Sequence, residues 1–124
     1  MRRAKAGSII NMGSVRWMAA SRSMPAYTAA KSVLSGLTRN LGGDGIRMNE
    51  IVSRWVFTEG QESLWAAPEA VERHMLKQCR KPKVVPPDIA RMALWLTADD
   101  SRMVTTQNFI VDGGDVSVLT RSSF

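Results

Sequence analysis

Tyr27 and Lys31 stand four residues apart in the segment PAYTAAKSV, a spacing that sets two side chains about 40° apart on one helix face. A phenol ordinarily ionises near pH ~10 and exchanges protons poorly at neutrality. A neighbouring ammonium stabilises the phenolate form, which makes proton exchange with an alcohol or carbonyl oxygen feasible. Ser14 precedes Tyr27 by thirteen residues, at the end of an apolar run, where a loop can return its hydroxyl to the helix. Taken alone, Tyr-x-x-x-Lys is more often a solvated helix face than a catalytic dyad.

Holding three such groups together takes a strand, a turn and a helix, and the sequence contains them. Gly7–Met12 (GSIINM) is a short apolar run opened by glycine and reads as a buried strand. Pro25–Leu41 reads as a helix: Ala26, Ala30, Val33, Leu37 and Leu41 recur at steps of three and four, and Leu34 widens the stripe. Pro25 suits its first turn and Gly42-Gly43 its end. Ile46–Val52 is a second strand in which Glu50 fits poorly if both faces are covered. Glu62–Lys81 is predicted as a charge-rich helical excursion. Pro87–Leu96 is a helix with the stripe Ile89, Met92, Ala93 and Leu96, and Phe109–Asp112 is a last strand stopped by Gly113-Gly114. Alternating strands and helices imply an α/β layer structure with parallel strands joined by right-handed crossovers.

The 124 residues, 44% hydrophobic and 23% charged, fit one soluble domain and exclude a disordered chain. Cys79 is the single cysteine, so no internal disulfide framework exists. No apolar run approaches the ~18 to 20 residues of a membrane span. The net charge of +6 originates in residues 1–43, which carry basic residues and no acid before Asp44. An acid-free, Arg- and Ser-containing start is compatible with an organelle presequence. The strand and helix within it argue instead for folded protein, with the cytoplasm as default location.

His74 is the lone histidine and has no cysteine or carboxylate cluster at metal-ligand spacing, so no metal site is expected. Cys79, between Gln78 and Arg80, reads as a plain thiol without a redox partner. Arg73, Lys77, Arg80, Lys81 and Lys83 form a basic cluster suited to a solvated face or an acidic substrate. The scarcity of aromatics there argues against nucleic acid. Of Trp17, Trp55, Trp65 and Trp95, the first two follow strand C-termini, where open α/β sheets bind ligands, and are the substrate-pocket candidates. Trp95 is expected on or beside its helix's packing stripe.

The stretches GSIINMGSV, PAYTAAKSVLSGLTRNLG, GIRMN and DIARMALWLTADDSRMVTTQNFIVDGG together resemble the C-terminal half of the short-chain dehydrogenase/reductase family, over roughly residues 7–114. The resemblance implies part of a doubly wound, Rossmann-like parallel sheet of about three strands with flanking helices. It makes residues 1–124 a single catalytic half, with a variable substrate loop at about 59–85 and the N-terminal dinucleotide-binding half absent. It also implies an NAD- or NADP-dependent oxidoreductase interconverting a secondary alcohol and a ketone. Carried over, Ser14 holds the substrate oxygen and Tyr27 exchanges the proton. Lys31 stabilises the phenolate and holds the nicotinamide ribose, Thr58 in WVFTE meets the cofactor's carboxamide and phosphate end, and Val56 lines the nicotinamide.

The chain departs from the family pattern at several places. No glycine-rich turn follows a first strand, and Gly42-Gly43-Asp44-Gly45 comes after a helix and before a strand, so it reads as a helix stop. Ser53-Arg54 replaces the usual Pro-Gly, Thr106 stands where a glycine usually follows threonine, and Glu50 occupies a position usually small and apolar. Met1-Arg2-Arg3 resembles interior family sequence, so a truncated chain is expected, and by itself a poor enzyme. The alternative is a non-enzymatic assembly module. In either case the resemblance implies a homo-oligomer formed through the Pro25–Leu41 helix and the C-terminal strand.

Overall fold

Three apolar runs bounded by glycine or by turn residues become three strands. In the computed structural model, which describes residues 1–19, 23–64 and 66–116, these are β1 (Gly7–Ser14), β2 (Ile46–Ser53) and β3 (Asn108–Val111). The strands form one parallel sheet in the order β1-β2-β3. Helix α1 (Pro25–Asn40) connects β1 to β2. Helices α2 (Glu59–Leu64), α3 (Pro68–Lys77) and α4 (Pro86–Thr97) lie between β2 and β3. The single excursion predicted over Glu62–Lys81 is thus two helices, because Pro68 can open a helix but cannot continue one.

Side chains alternate across a strand, so the register assigns each face its helix. On one face Ile10, Ile51 and Phe109 meet α4, whose stripe of Ile89, Met92, Ala93 and Leu96 closes the core together with Val84. Ile51 and Leu96 are fully buried, each worth roughly 1.5–3 kcal/mol of apolar transfer. Trp95 stands beside this stripe, edge-on to Phe109 at 5.6 Å. On the other face the register partners Asn11, Glu50 and Asn108 form a polar rung beneath α1.

That rung sets the orientation of α1. Its inward residues are polar: Ser35 and Thr38 are buried, Ser35 Oγ donates to Glu50 Oε2 at 2.6 Å, and Asn11 Nδ2 donates to Thr38 Oγ1 at 2.9 Å. The apolar stripe points outward, with Val33 57%, Leu37 42% and Leu41 58% exposed. Glu50 is fully buried, and its cost is met in part by the Ser35 bond and by Gly13, whose missing side chain leaves the carboxylate room.

Turns at the sheet's lower end close as the glycines suggest. Gly43 and Ile46 exchange backbone hydrogen bonds of 2.8 and 3.2 Å around Asp44 and Gly45, both at positive φ. Thr106 sits at φ 61°, the left-handed region that favours glycine, with its amide held by the Met48 carbonyl at 2.6 Å. No helix among the described residues is long and apolar enough to cross a membrane.

Candidate active site

The C-terminal ends of β1 and β2 open onto a cavity of about 1130 Å³. Ser14 is the last residue of β1 and caps the 3-10 turn Val15–Trp17, its Oγ accepting the Arg16 amide at 3.3 Å. It is 7% exposed and lines the cavity. Tyr27 lies in the first turn of α1, 40% exposed, and lines the same cavity. Helix α1 begins after Met24 at φ 66°, a sharp reversal that Pro25 then fixes in helical geometry.

One turn on, Lys31 Nζ lies 5.7 Å from the Tyr27 ring centre and donates to the Met12 carbonyl at 2.7 Å. The ammonium therefore ties α1 to β1 two residues before Ser14. It stands behind Tyr27, outside the cavity lining. An ammonium has three donors, so two remain beyond the Met12 bond.

Trp55 and Val56 line the cavity from the stretch after β2. Trp55 stacks on Phe57 at 4.7 Å, meets the His74 ring edge-on at 5.3 Å, and donates its indole N–H to Gln61 at 3.0 Å. Two expected site residues fall elsewhere. Trp17 stands outside the cavity lining, because the turn it closes buries Val15 instead. Thr58 is exposed and caps α2, its Oγ1 accepting the Gln61 amide at 3.3 Å. Trp65 lies outside the described residues.

A polar cluster that sequence reasoning did not assemble completes the wall. Arg54 reaches a ring nitrogen of His74 with its Nε at 3.0 Å and forms an ion pair with Asp115. Arg54, His74, Lys77, Arg16 and Asp115 all line the cavity. Burial, then the charges of Arg54 and Lys77, push the His74 imidazole down to about 4, so it is neutral at pH 7 and accepts the guanidinium N–H. Burial also lowers Arg54, with Arg16 adding repulsion and Asp112 opposing it. The Asp115 segment is stitched to the end of α3, through Arg80 N to the Gly113 carbonyl at 2.9 Å and Gln78 Nε2 to the Asp112 carbonyl at 3.3 Å. The bulk of Arg54 was legible as a departure; its partners, 20 and 61 positions away, were not.

The rest of the basic run after Arg73 disperses. Lys81 bonds the Gln78 carbonyl at 2.6 Å and Lys83 pairs with Glu62. Among the described residues no group of three His, Cys, Asp or Glu could hold a metal ion.

Residues 1–115 match the family described as enoyl-(acyl carrier protein) reductase. The chain belongs to the short-chain dehydrogenase/reductase family. It is 37% identical over 118 residues to a "probable galactose dehydrogenase" of Rhizobium meliloti, covering 92% of this chain and 46% of that one. Two solved oxidoreductases of the family share the fold. A 4-hydroxyisoleucine dehydrogenase complexed with NADH aligns at TM-score 0.83 and 30% identity, over 91% of this chain and 49% of that chain. A 3-oxoacyl-(acyl-carrier protein) reductase from Brucella melitensis aligns at TM-score 0.86 and 29% identity, over 95% and 45%. The chain spans about half the length of the relatives it matches.

Proposed function

We propose that this chain carries the catalytic half of a nicotinamide-dependent short-chain dehydrogenase/reductase that interconverts a secondary alcohol and a ketone. The carrying observation is the convergence of Ser14 and Tyr27 on one cavity, with the Lys31 ammonium 5.7 Å from the Tyr27 ring. The Ser14 oxygen already accepts the Arg16 amide, which leaves its own proton to donate to a substrate carbonyl. Tyr27 gives its proton to that oxygen in reduction and takes it back in oxidation. Lys31, anchored on Met12, stabilises the phenolate left behind by its nearby positive charge.

The donor set fits the nicotinamide-ribose end of such a cofactor. Tyr27 and Lys31 would hold the ribose, and Val56 would line the ring. A nicotinamide bound there supplies or takes the hydride. The pyrophosphate has no counterpart among the described glycines: Gly43 bridges to Ile46, and Gly45 closes against the Lys5 backbone.

By itself the chain should therefore bind NADH or NADPH only at millimolar concentration, which calorimetry reads directly. Joined to the nucleotide-binding half of a relative, it should reduce ketones. Tyr27→Phe or Lys31→Met should then lower the rate by ~10²-fold or more. Undiminished turnover in Tyr27→Phe would refute the assignment. A second reading, assembly with copies of this chain or its relatives through α1 and β3, is favoured by the outward Val33, Leu37 and Leu41.

A further inference from the structure

Helix α1 carries Tyr27 and Lys31, yet among the described residues none of its side chains belongs to the apolar core, which lies between the sheet and α4. Only Ser35 and Thr38 are buried on it, and Leu34 is the one apolar side chain of the helix that is even half-buried. Apolar burial therefore does not explain where the helix sits. We infer that Glu50 and Asn11 are positioning residues: through Ser35 and Thr38 they fix the seat of α1 on the sheet, and with it the place of Tyr27 and Lys31 beside Ser14.

Tyr27, Lys31, Ser35 and Thr38 follow one another at steps of four, four and three, so all four fall within roughly 80° of one helix face. Three of them bond to the strands beneath. Lys31 Nζ donates to the Met12 carbonyl at 2.7 Å, Ser35 Oγ donates to Glu50 Oε2 at 2.6 Å, and Thr38 Oγ1 accepts from Asn11 Nδ2 at 2.9 Å. The Thr38 hydroxyl gives its own proton to the Leu34 carbonyl at 2.8 Å, so its orientation is set from both sides. Glu50 is fully buried, and its carboxylate lies against Gly13, the residue before Ser14. One side chain thus meets the strand that ends in Ser14 and the helix about two turns beyond Tyr27.

Hydrogen bonds suit this task in a way that apolar contact does not. They weaken steeply with distance and angle, whereas the apolar effect is non-directional and tolerates a helix that rolls or slides. Two such bonds one turn apart oppose both movements. Neither Glu50 nor Asn11 lines the cavity, so whatever they do to Tyr27 passes through α1. The inference rests on the dehydrogenase reading only for what the seat serves.

The test needs no turnover, because Tyr27 is the single tyrosine and a 13C label on tyrosine gives the NMR signals of its ring alone. Hydrogen exchange then compares the amides of α1 with those of α4. Ser35→Ala removes the donor to Glu50 while raising the intrinsic helix propensity of α1. Thr38→Val removes the acceptor of Asn11 at nearly constant volume. Each should move the Tyr27 ring signals and speed exchange in α1 about tenfold relative to α4, the worth of one buried hydrogen bond. Glu50→Gln, which keeps an acceptor for Ser35, should leave the Tyr27 signals in place. So should Ile51→Val, which loosens the core on the α4 face of the sheet. Should either Ser35→Ala or Thr38→Val fail to fold, the other carries the test. Unmoved Tyr27 signals in the folded variants, slower α1 exchange in Ser35→Ala, an equal shift from Ile51→Val, or a shift in Glu50→Gln as large as that in Ser35→Ala overturns the inference. Undiminished ketone reduction by Tyr27→Phe in the joined enzyme, with the ring signals moving as expected in the other variants, would leave the seat standing and remove the dehydrogenase reading instead.

Discussion

Glu50 and Gly13 face each other beneath α1, and their exchangeability is a quantitative test of the packing. A methyl built on Gly13 would lie 2.7 Å from Glu50 Cδ and 3.0 Å from Cγ, closer than a side chain in this setting tolerates. Glu50 cannot swing aside, because it is fully buried and Ser35 holds Oε2 at 2.6 Å. Gly13→Ala should therefore destabilise by ~1–3 kcal/mol through overpacking, despite the entropy that alanine saves in the unfolded chain. Glu50→Ala should also destabilise, since it strips the Ser35 hydroxyl of its acceptor at about 1–3 kcal/mol and leaves a cavity. One credit is set against this: Glu50 Oε1 is a buried oxygen without a partner. Combined, the two changes remove the clash altogether, and the new methyl fills part of the space. The double variant should be more stable than the sum of the singles by about 2 kcal/mol. Urea unfolding followed by tryptophan fluorescence measures all four corners of the cycle. Gly36→Ala is the control: nothing lies within 4 Å of its Cβ position, so it should stabilise α1 by ~0.5–1 kcal/mol and show no coupling to Glu50. Additivity of Gly13→Ala and Glu50→Ala within ~0.5 kcal/mol would refute the steric argument.

The neutral His74 gives a pH dependence of definite sign. The unfolded imidazole takes up a proton near 6.5 that the folded site accepts only near 4, so stability is complete above about 6.5 and falls as the pH drops towards 4. The loss attributable to this group is on the order of 3 kcal/mol. His74→Gln, which keeps an acceptor for Arg54, should flatten that part of the profile, and parallel stability curves for the two proteins between pH 7 and 4 would contradict it. On the outward face of α1, Val33→Lys with Leu37→Lys should leave helix content unchanged by circular dichroism, since both positions are exposed. Sedimentation equilibrium should show the assembly formed by the unmodified chain falling to monomer. A monomeric unmodified chain, or a variant of undiminished mass, would exclude α1 as the contact.

Local order was legible wherever it depends on near neighbours in the chain. Glycine-bounded apolar runs located the three strands to within two residues, and the i, i+3, i+4 stripe of α4 correctly identified the face that packs on Ile51. The alternation of periodic segments implied the order strand, helix, strand, helix, strand, which the fold realises with three helices between β2 and β3. Tyr27 and Lys31 were one helical turn apart on paper and are so in space, because a helix's geometry is repeated by its own backbone bonds.

What only tertiary structure decided concerns which surface meets which. The stripe on α1 has the same period as that on α4, yet it faces outward while Ser35 and Thr38 turn to the sheet. Periodicity reports that a helix has two faces, and the fully buried Glu50 and half-buried Asn11 on the opposing strands bond the polar one, which packs inward. Likewise, Pro68 divides the excursion after β2, and the wall built from Arg54, His74 and Asp115 joins three separate segments. Charges brought together from distant positions carry no mark of their meeting in composition or spacing. Their interaction depends on distance and on loss of water, and both are set only when the chain has closed around them.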